Sequence, residues 1–177
     1  LQHRGQESSG IVAYETTKDD FTTHKAFGKV GEIFAKKESI DSLKGDIAIG
    51  HNRYSTSGGK KDAANIQPLF AEVSYGEISI AHNGNLTNAD KLRQELVQRG
   101  SIFRTSMDSE VLLHLIATSN KTSVKQAVQE AFSKVEGAFS ALVIADGKIF
   151  ALRDKHGIRP LQLGKLGESY ILSSETC

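Results

Sequence analysis

The sequence predicts an α+β domain of antiparallel sheets covered by helices. Three observations predict it. Short strand-like runs rich in Val, Ile, Thr and Phe fill the first half. Three segments with apolar residues at helical spacing follow, and further strand-like runs close the chain. The only prolines are Pro68 and Pro160, and no Gly/Ser-rich linker or internal repeat divides the 177 residues, so one domain is expected.

The expected strands are 10–14, 21–27, 47–51, 78–82, 138–145, 148–153 and 169–173. Asp146-Gly147 separates two of them and reads as a two-residue hairpin turn. The first helix opens on a capping box of Thr87 with Asp90, carries Leu92, Leu96 and Val97 on one face, and stops at Gly100. The second starts between Thr105 and Asp108, with Val111, Leu112, Leu115 and Ile116 as its stripe. The third starts at Ser123, with Gln126 three residues on, and its apolar face runs from Val124 through Ala127, Val128, Ala131 and Phe132 to Val135.

Composition is ordinary for a globular protein, 38% hydrophobic and 24% charged. A formal net charge of +1 gives no electrostatic case for nucleic acid or an anionic membrane as partner. No apolar run approaches the roughly 20 residues of a membrane span. The single cysteine, Cys177, rules out a disulfide framework within these residues and favours a reducing compartment. The six histidines form no H-x-x-x-H pattern and have no cysteine partners, so no metal site is expected.

Three polar clusters stand where strands end or helices begin. In Gly50-His51-Asn52-Arg53-Tyr54-Ser55-Thr56, a strand runs into a Ser/Thr/Gly loop with Arg53 at the junction. That guanidinium is either a surface ion-pair partner or a two-pronged grip for a carboxylate. In His82-Asn83-Gly84-Asn85, the Asn-Gly pair is either a tight turn or an oxyanion hole made of the Asn83 amide and the Gly84 N–H. Asp108, in Thr105-Ser106-Met107-Asp108, either caps a helix or receives an ammonium. Together a cation, an anion and a donor pair could hold a free amino acid and polarise its side-chain carbonyl. No serine sits in a nucleophile elbow.

The opening Gln2-His3-Arg4-Gly5-Gln6-Glu7-Ser8-Ser9-Gly10 resembles the signature of class II glutamine amidotransferases, in the form of their phosphoribosylpyrophosphate amidotransferase branch. The Arg53 loop, the His82-Asn83-Gly84-Asn85-Leu86 run and Asp108-Ser109-Glu110 match that family in order and spacing. So do Arg153-Asp154, Gly157-Ile158-Arg159-Pro160-Leu161 and the terminal Ser-Ser-Glu-Thr-Cys.

The resemblance implies an N-terminal nucleophile hydrolase fold, a four-layer αββα sandwich. A cysteine at the mature N-terminus would attack the glutamine carboxamide, with its own amino group as base. The thioester would hydrolyse to glutamate, and ammonia would pass to a phosphoribosyltransferase domain to make phosphoribosylamine for purine synthesis. By position, Arg53 would bind the substrate carboxylate, Asp108 its ammonium, and Thr56 would serve the glutamine loop. Asn83 and Gly84 would form the oxyanion hole, with Arg4 and His82 supporting the site. Residues 1–177 would be the glutaminase domain, truncated at both ends. The nucleophile would lie some two dozen residues ahead of Leu1, the transferase domain would lie beyond Cys177, and the fragment alone would be inactive.

No cofactor is expected in this domain. Mg²⁺ is expected for the transferase, and an iron–sulfur cluster is a property of some members. The expected partners are glutamine and phosphoribosylpyrophosphate, and the expected setting is a cytoplasmic homo-oligomer. The alternatives are a hexosamine- or asparagine-forming class II enzyme, or a non-catalytic glutamine-binding module.

Overall fold

The computed structural model describes residues 2–54 and 62–176. Strands β1 (Ser8–Glu15), β2 (Asp20–Phe27) and β3 (Ile47–Arg53) form one antiparallel sheet in the order β2-β1-β3. Strands β4 (Leu69–Val73), β5 (Gly76–Leu86), β6 (Gly137–Ala145) and β7 (Lys148–Arg153) form a second, ordered β4-β5-β6-β7. Strands β8 (Gln162–Leu166) and β9 (Ser169–Ser173) make a separate hairpin. Two short helices, α1 (Val30–Ile33) and α2 (Lys37–Asp41), follow β2. Between β5 and β6 come α3 (Ala89–Gln98), α4 (Asp108–Ala117) and α5 (Val124–Lys134).

Alternation along the strands sorts the side chains into two cores. Ile78, Ile80 and Val143 face the helices and pack with Val111, Leu112, Ile116 and Val128. Ala81 and Ile144 face the other way and meet Val12, Tyr14 and Ile49 of the first sheet. The outer face of that sheet carries His24, whose ring lies 5.3 Å from that of Phe34, just past α1. The layers therefore run helix, sheet, sheet, short helix, and the expected α+β class holds.

Most elements fall where the sequence places them. Asp146 and Gly147 take φ of 51° and 64°, the turn expected between β6 and β7. Ser123 caps α5 by accepting the Gln126 N–H. The capping box expected at Thr87 does not form. The N-cap of α3 is Asn88, whose side chain instead bridges Lys134 O and Glu136 N, tying α3 to the end of α5. Strands β4 and β8 and the short helices α1 and α2 are additions to the sequence reading.

The largest departure is at Asn83-Gly84. No turn occurs there: β5 continues to Leu86, paired with β6 from Ser79↔Ile144 to Leu86↔Gly137. Gly84 has φ +154°, and a Cβ on it would lie 2.2 Å from Ala138 O, so close approach to β6 fixes a glycine here. Gly10 has a similar role, since a Cβ there would lie 2.4 Å from Gln67 O, which crosses β1.

Candidate functional site

The site is built along one edge of β5. Strand β4 pairs with β5 only as far as Leu69↔Ile80. Beyond that, side chains take over. The Gln67 carboxamide imitates a strand residue, accepting the His82 N–H at 2.7 Å and donating to His82 O at 3.1 Å. Four residues on, Asp108 Oδ2 accepts the Leu86 N–H at 3.0 Å. Antiparallel alternation directs the Gly84 N–H to this same edge, midway between the two. Asn83, half-buried, precedes it and lines the cavity.

Asp108 does not cap its own helix, contrary to the local expectation. Met107 is the N-cap, and Glu110 accepts the N–H groups of Arg104 and Thr105. Asp108 is spent on β5 instead. Its Oδ1 lies 3.5 Å from both His82 Nδ1 and Ser109 Oγ. Burial works to raise this carboxyl. Hydrogen bonding and charge from His82, with the N–H groups of Leu86 and Ser109, outweigh it and hold the group below the ordinary carboxylate value.

His82 is buried, with Nδ1 on Ser109 Oγ at 3.0 Å. It lines a cavity of about 540 Å³ with His51, Asn52, Tyr54, Asn83 and Gly84. His51 and His82 both line this cavity, and each has one ring nitrogen left over: His51 Nδ1 and His82 Nε2 are buried without hydrogen-bond partners among the described residues.

Burial, then the nearby His82 and Arg53, push His51 down to about 4 from an ordinary 6.5. Between those pH values the unfolded chain binds the proton that the folded chain refuses. Stability therefore falls as pH falls from about 6.5 to about 4. The variant His51→Gln is expected to flatten this slope in urea denaturation series across that range. His114, also lowered by burial, keeps its own contribution of the same sign. An unchanged slope would show that His51 titrates normally.

Arg53 closes β3, opposite Ser8. Its Nε lies 3.8 Å from Glu7 Oε2, and both side chains are largely covered, 22% and 15% exposed. It adjoins the cavity through its neighbours Asn52 and Tyr54. Thr56, Cys177 and the side chain of Arg4 lie outside the described part of the chain. On the cavity's other side is Arg159, whose loop is fixed from two directions. Asp154 accepts N–H groups from Phe139, His156, Ile158 and Arg159, while Arg153 donates to the carbonyls of Gly157 and Arg159. Burial would raise Asp154, but its four backbone donors pull it to about 2.

Gln67, Glu7 and Arg159 are candidate-site residues to which the sequence alone gives no role of their own. Each acts through a partner remote in sequence, or through the cavity itself. No cluster of three His, Cys, Asp or Glu that could hold a metal occurs among the described residues. No helix there is long and apolar enough to cross a membrane.

A family model described as the glutamine amidotransferase domain matches residues 51–177. The chain belongs to the glutamine amidotransferase domain family. This amidotransferase domain is 44% identical over 178 residues to the amidophosphoribosyltransferase of Bacillus subtilis, covering all of this chain and 37% of that protein. The amidophosphoribosyltransferase of Methanocaldococcus jannaschii is also 44% identical, with the same two coverages. Among solved structures, the glutamine phosphoribosylpyrophosphate amidotransferase from B. subtilis complexed with ADP and GMP superposes with a TM-score of 0.91 at 42% identity, over all of this chain and 37% of that one. The N-terminal nucleophile hydrolase fold expected from the sequence is the fold of these neighbours. The chain spans about a third of the length of the relatives it matches.

Proposed function

We propose that this domain hydrolyses glutamine for an amidophosphoribosyltransferase, supplying the ammonia that converts phosphoribosylpyrophosphate to 5-phosphoribosylamine in the first committed step of purine synthesis. The observation that carries the reading is the exposed edge of β5. There Gln67 and Asp108 take the N–H groups of His82 and Leu86, and Asn83 and Gly84, between them in the strand, line the adjoining cavity.

In this mechanism a cysteine ahead of Leu1 attacks the substrate carboxamide carbon. Asn83 and Gly84 donate to the oxygen as it gains negative charge, a role worth about 2.7–4 kcal/mol per donor in such sites. Asp108, ionised at neutral pH, takes the substrate ammonium. Arg53 takes the carboxylate, and Thr56 completes the glutamine loop. Arg4 and His82 support the site, His82 by holding Ser109 and Asp108 at the start of α4. Collapse of this adduct breaks the C–N bond and expels ammonia, which takes the thiol proton by way of the cysteine's own amino group, and water then releases glutamate from the thioester.

The transferase reaction and its Mg²⁺ belong to a second domain of a longer chain. Homo-oligomeric assembly and a cytoplasmic setting complete the proposal. An iron–sulfur cluster, where present, would be bound beyond these residues.

The test uses the full-length protein containing this sequence, treated with a diazo-ketone glutamine analogue and followed by intact mass and peptide mapping. One adduct on a cysteine ahead of Leu1, with loss of glutamine-dependent but not ammonia-dependent phosphoribosylamine synthesis, is expected. An adduct on Cys177, or none, overturns the assignment.

A further inference from the structure

We infer that Glu7 is a positioning residue for the Arg53 guanidinium, and that its carboxylate sets how tightly the site holds an amino-acid α-carboxylate. The inference rests on the reading of Arg53 as the carboxylate grip and adds the residue through which that grip works.

The backbone of Glu7 is held at both ends. Its N–H donates to Arg53 O at 3.1 Å, and its carbonyl accepts the Gly28 N–H at 2.9 Å. Just before it, Gly5 lies flat against the end of β3, where a Cβ would come 2.7 Å from the Asn52 carbonyl carbon and 2.8 Å from that of Arg53. The start of the chain thus wraps the end of β3 and carries the Glu7 carboxylate to a fixed place beside Arg53.

Glu7 Oε2 is buried, has no hydrogen-bond partner among the described residues, and faces Arg53 Nε at 3.8 Å. A buried carboxylate without a hydrogen bond is costly, and the adjacent guanidinium is its compensation. The separation is too long for a hydrogen bond. The pair is therefore Coulombic, and it orients the guanidinium without consuming any of its five N–H donors. With Glu7 on the Nε side, the edge formed by the two terminal nitrogens remains for a two-pronged grip on a ligand carboxylate. Glu7 also repels that ligand, but across the width of the guanidinium. What Glu7 contributes is preorganisation: it holds the long Arg53 side chain in place before the ligand arrives, so binding does not have to order it.

The experiment measures glutaminase kinetics of the full-length protein with Glu7→Gln, Glu7→Asp, Arg53→Gln and the Glu7→Gln/Arg53→Gln pair, each first checked for a parental melting temperature. Glu7→Gln keeps the shape and removes the charge. It is expected to raise KM for glutamine about tenfold with kcat within about twofold. Glu7→Asp should recover part of the loss, and the double variant should be no worse than Arg53→Gln alone. A raised KM in Arg53→Gln with an unchanged KM in Glu7→Gln overturns this inference alone. An unchanged KM in Arg53→Gln overturns the reading of Arg53 and this inference with it. Additive losses in the double variant, or a fall in kcat matching the rise in KM, would mark Glu7 as merely structural.

Discussion

Replacing Gly84 by alanine is expected to destabilise the domain by about 3 kcal/mol or more and to cut glutaminase turnover at least about a hundredfold. Two effects act at once. The residue has φ +154°, a conformation L side chains rarely adopt, and the new methyl would lie 2.2 Å from Ala138 O and 2.7 Å from Phe139 Cα. Both are backbone atoms of the neighbouring strand, so no side chain can swing aside. Relief requires parting β5 from β6, and that pairing is continuous from Ser79↔Ile144 to Leu86↔Gly137. The same displacement moves the Gly84 N–H off the site edge. Gly31→Ala is the control: a methyl there meets nothing within 4 Å and should leave stability close to parental. Urea denaturation of both variants, with ammonia release from glutamine, measures the outcome. A Gly84→Ala protein that unfolds at the parental urea concentration would show that the strand adapts and that the glycine is not required sterically.

Gly84 also shows where local reading of the sequence stops. Asn-Gly is a turn signal because both residues tolerate unusual φ. The unusual φ is present, but the Ala138–Phe139 backbone of β6, more than fifty residues away, imposes it within a strand. Asp108 follows the same pattern. At the start of a helix it reads as a cap, yet the Leu86 N–H claims it. The Ser123 cap and the Asp146-Gly147 turn are legible because each is completed within a few residues. The period-3.6 stripes of α4 and α5 are legible because each faces a single core. Strand β4 is short, directly follows Pro68 and carries an exposed Phe70 that masks its alternation in the sequence, while β8 contains Gly164 and Lys165 and is exposed throughout. The site's residue types could be read from the sequence. What joins Glu7 to Arg53, or Gln67 to His82, is set by sheet registers and strand edges that no local window contains.

Asp108→Asn is expected to raise KM for glutamine about a hundredfold while leaving the fold largely intact. The substitution is nearly isosteric, and an asparagine carbonyl oxygen can still accept the Leu86 N–H that Asp108 now takes at 3.0 Å. What disappears is the negative charge. His82 hydrogen bonding and charge, with two backbone N–H groups, keep that carboxyl ionised against the opposing effect of burial. Removing one partner of a covered charge pair leaves the substrate ammonium desolvated and unmatched, which costs about 3 kcal/mol in typical sites, hence roughly two decades in KM. The carboxylate has room for this partner: its side chain is 22% exposed, and its oxygens have more acceptor capacity than Leu86, Ser109 and His82 use. The pH dependence supplies a second readout. In the parent, KM should climb only as pH falls through a value below the ordinary 3.8 of a free carboxyl, and in Asp108→Asn that rise should be absent. Steady-state glutaminase kinetics across pH, with circular dichroism to confirm folding, measure both. A folded Asp108→Asn enzyme with parental KM would place the ammonium elsewhere and leave Asp108 with only the structural task of closing the edge of β5.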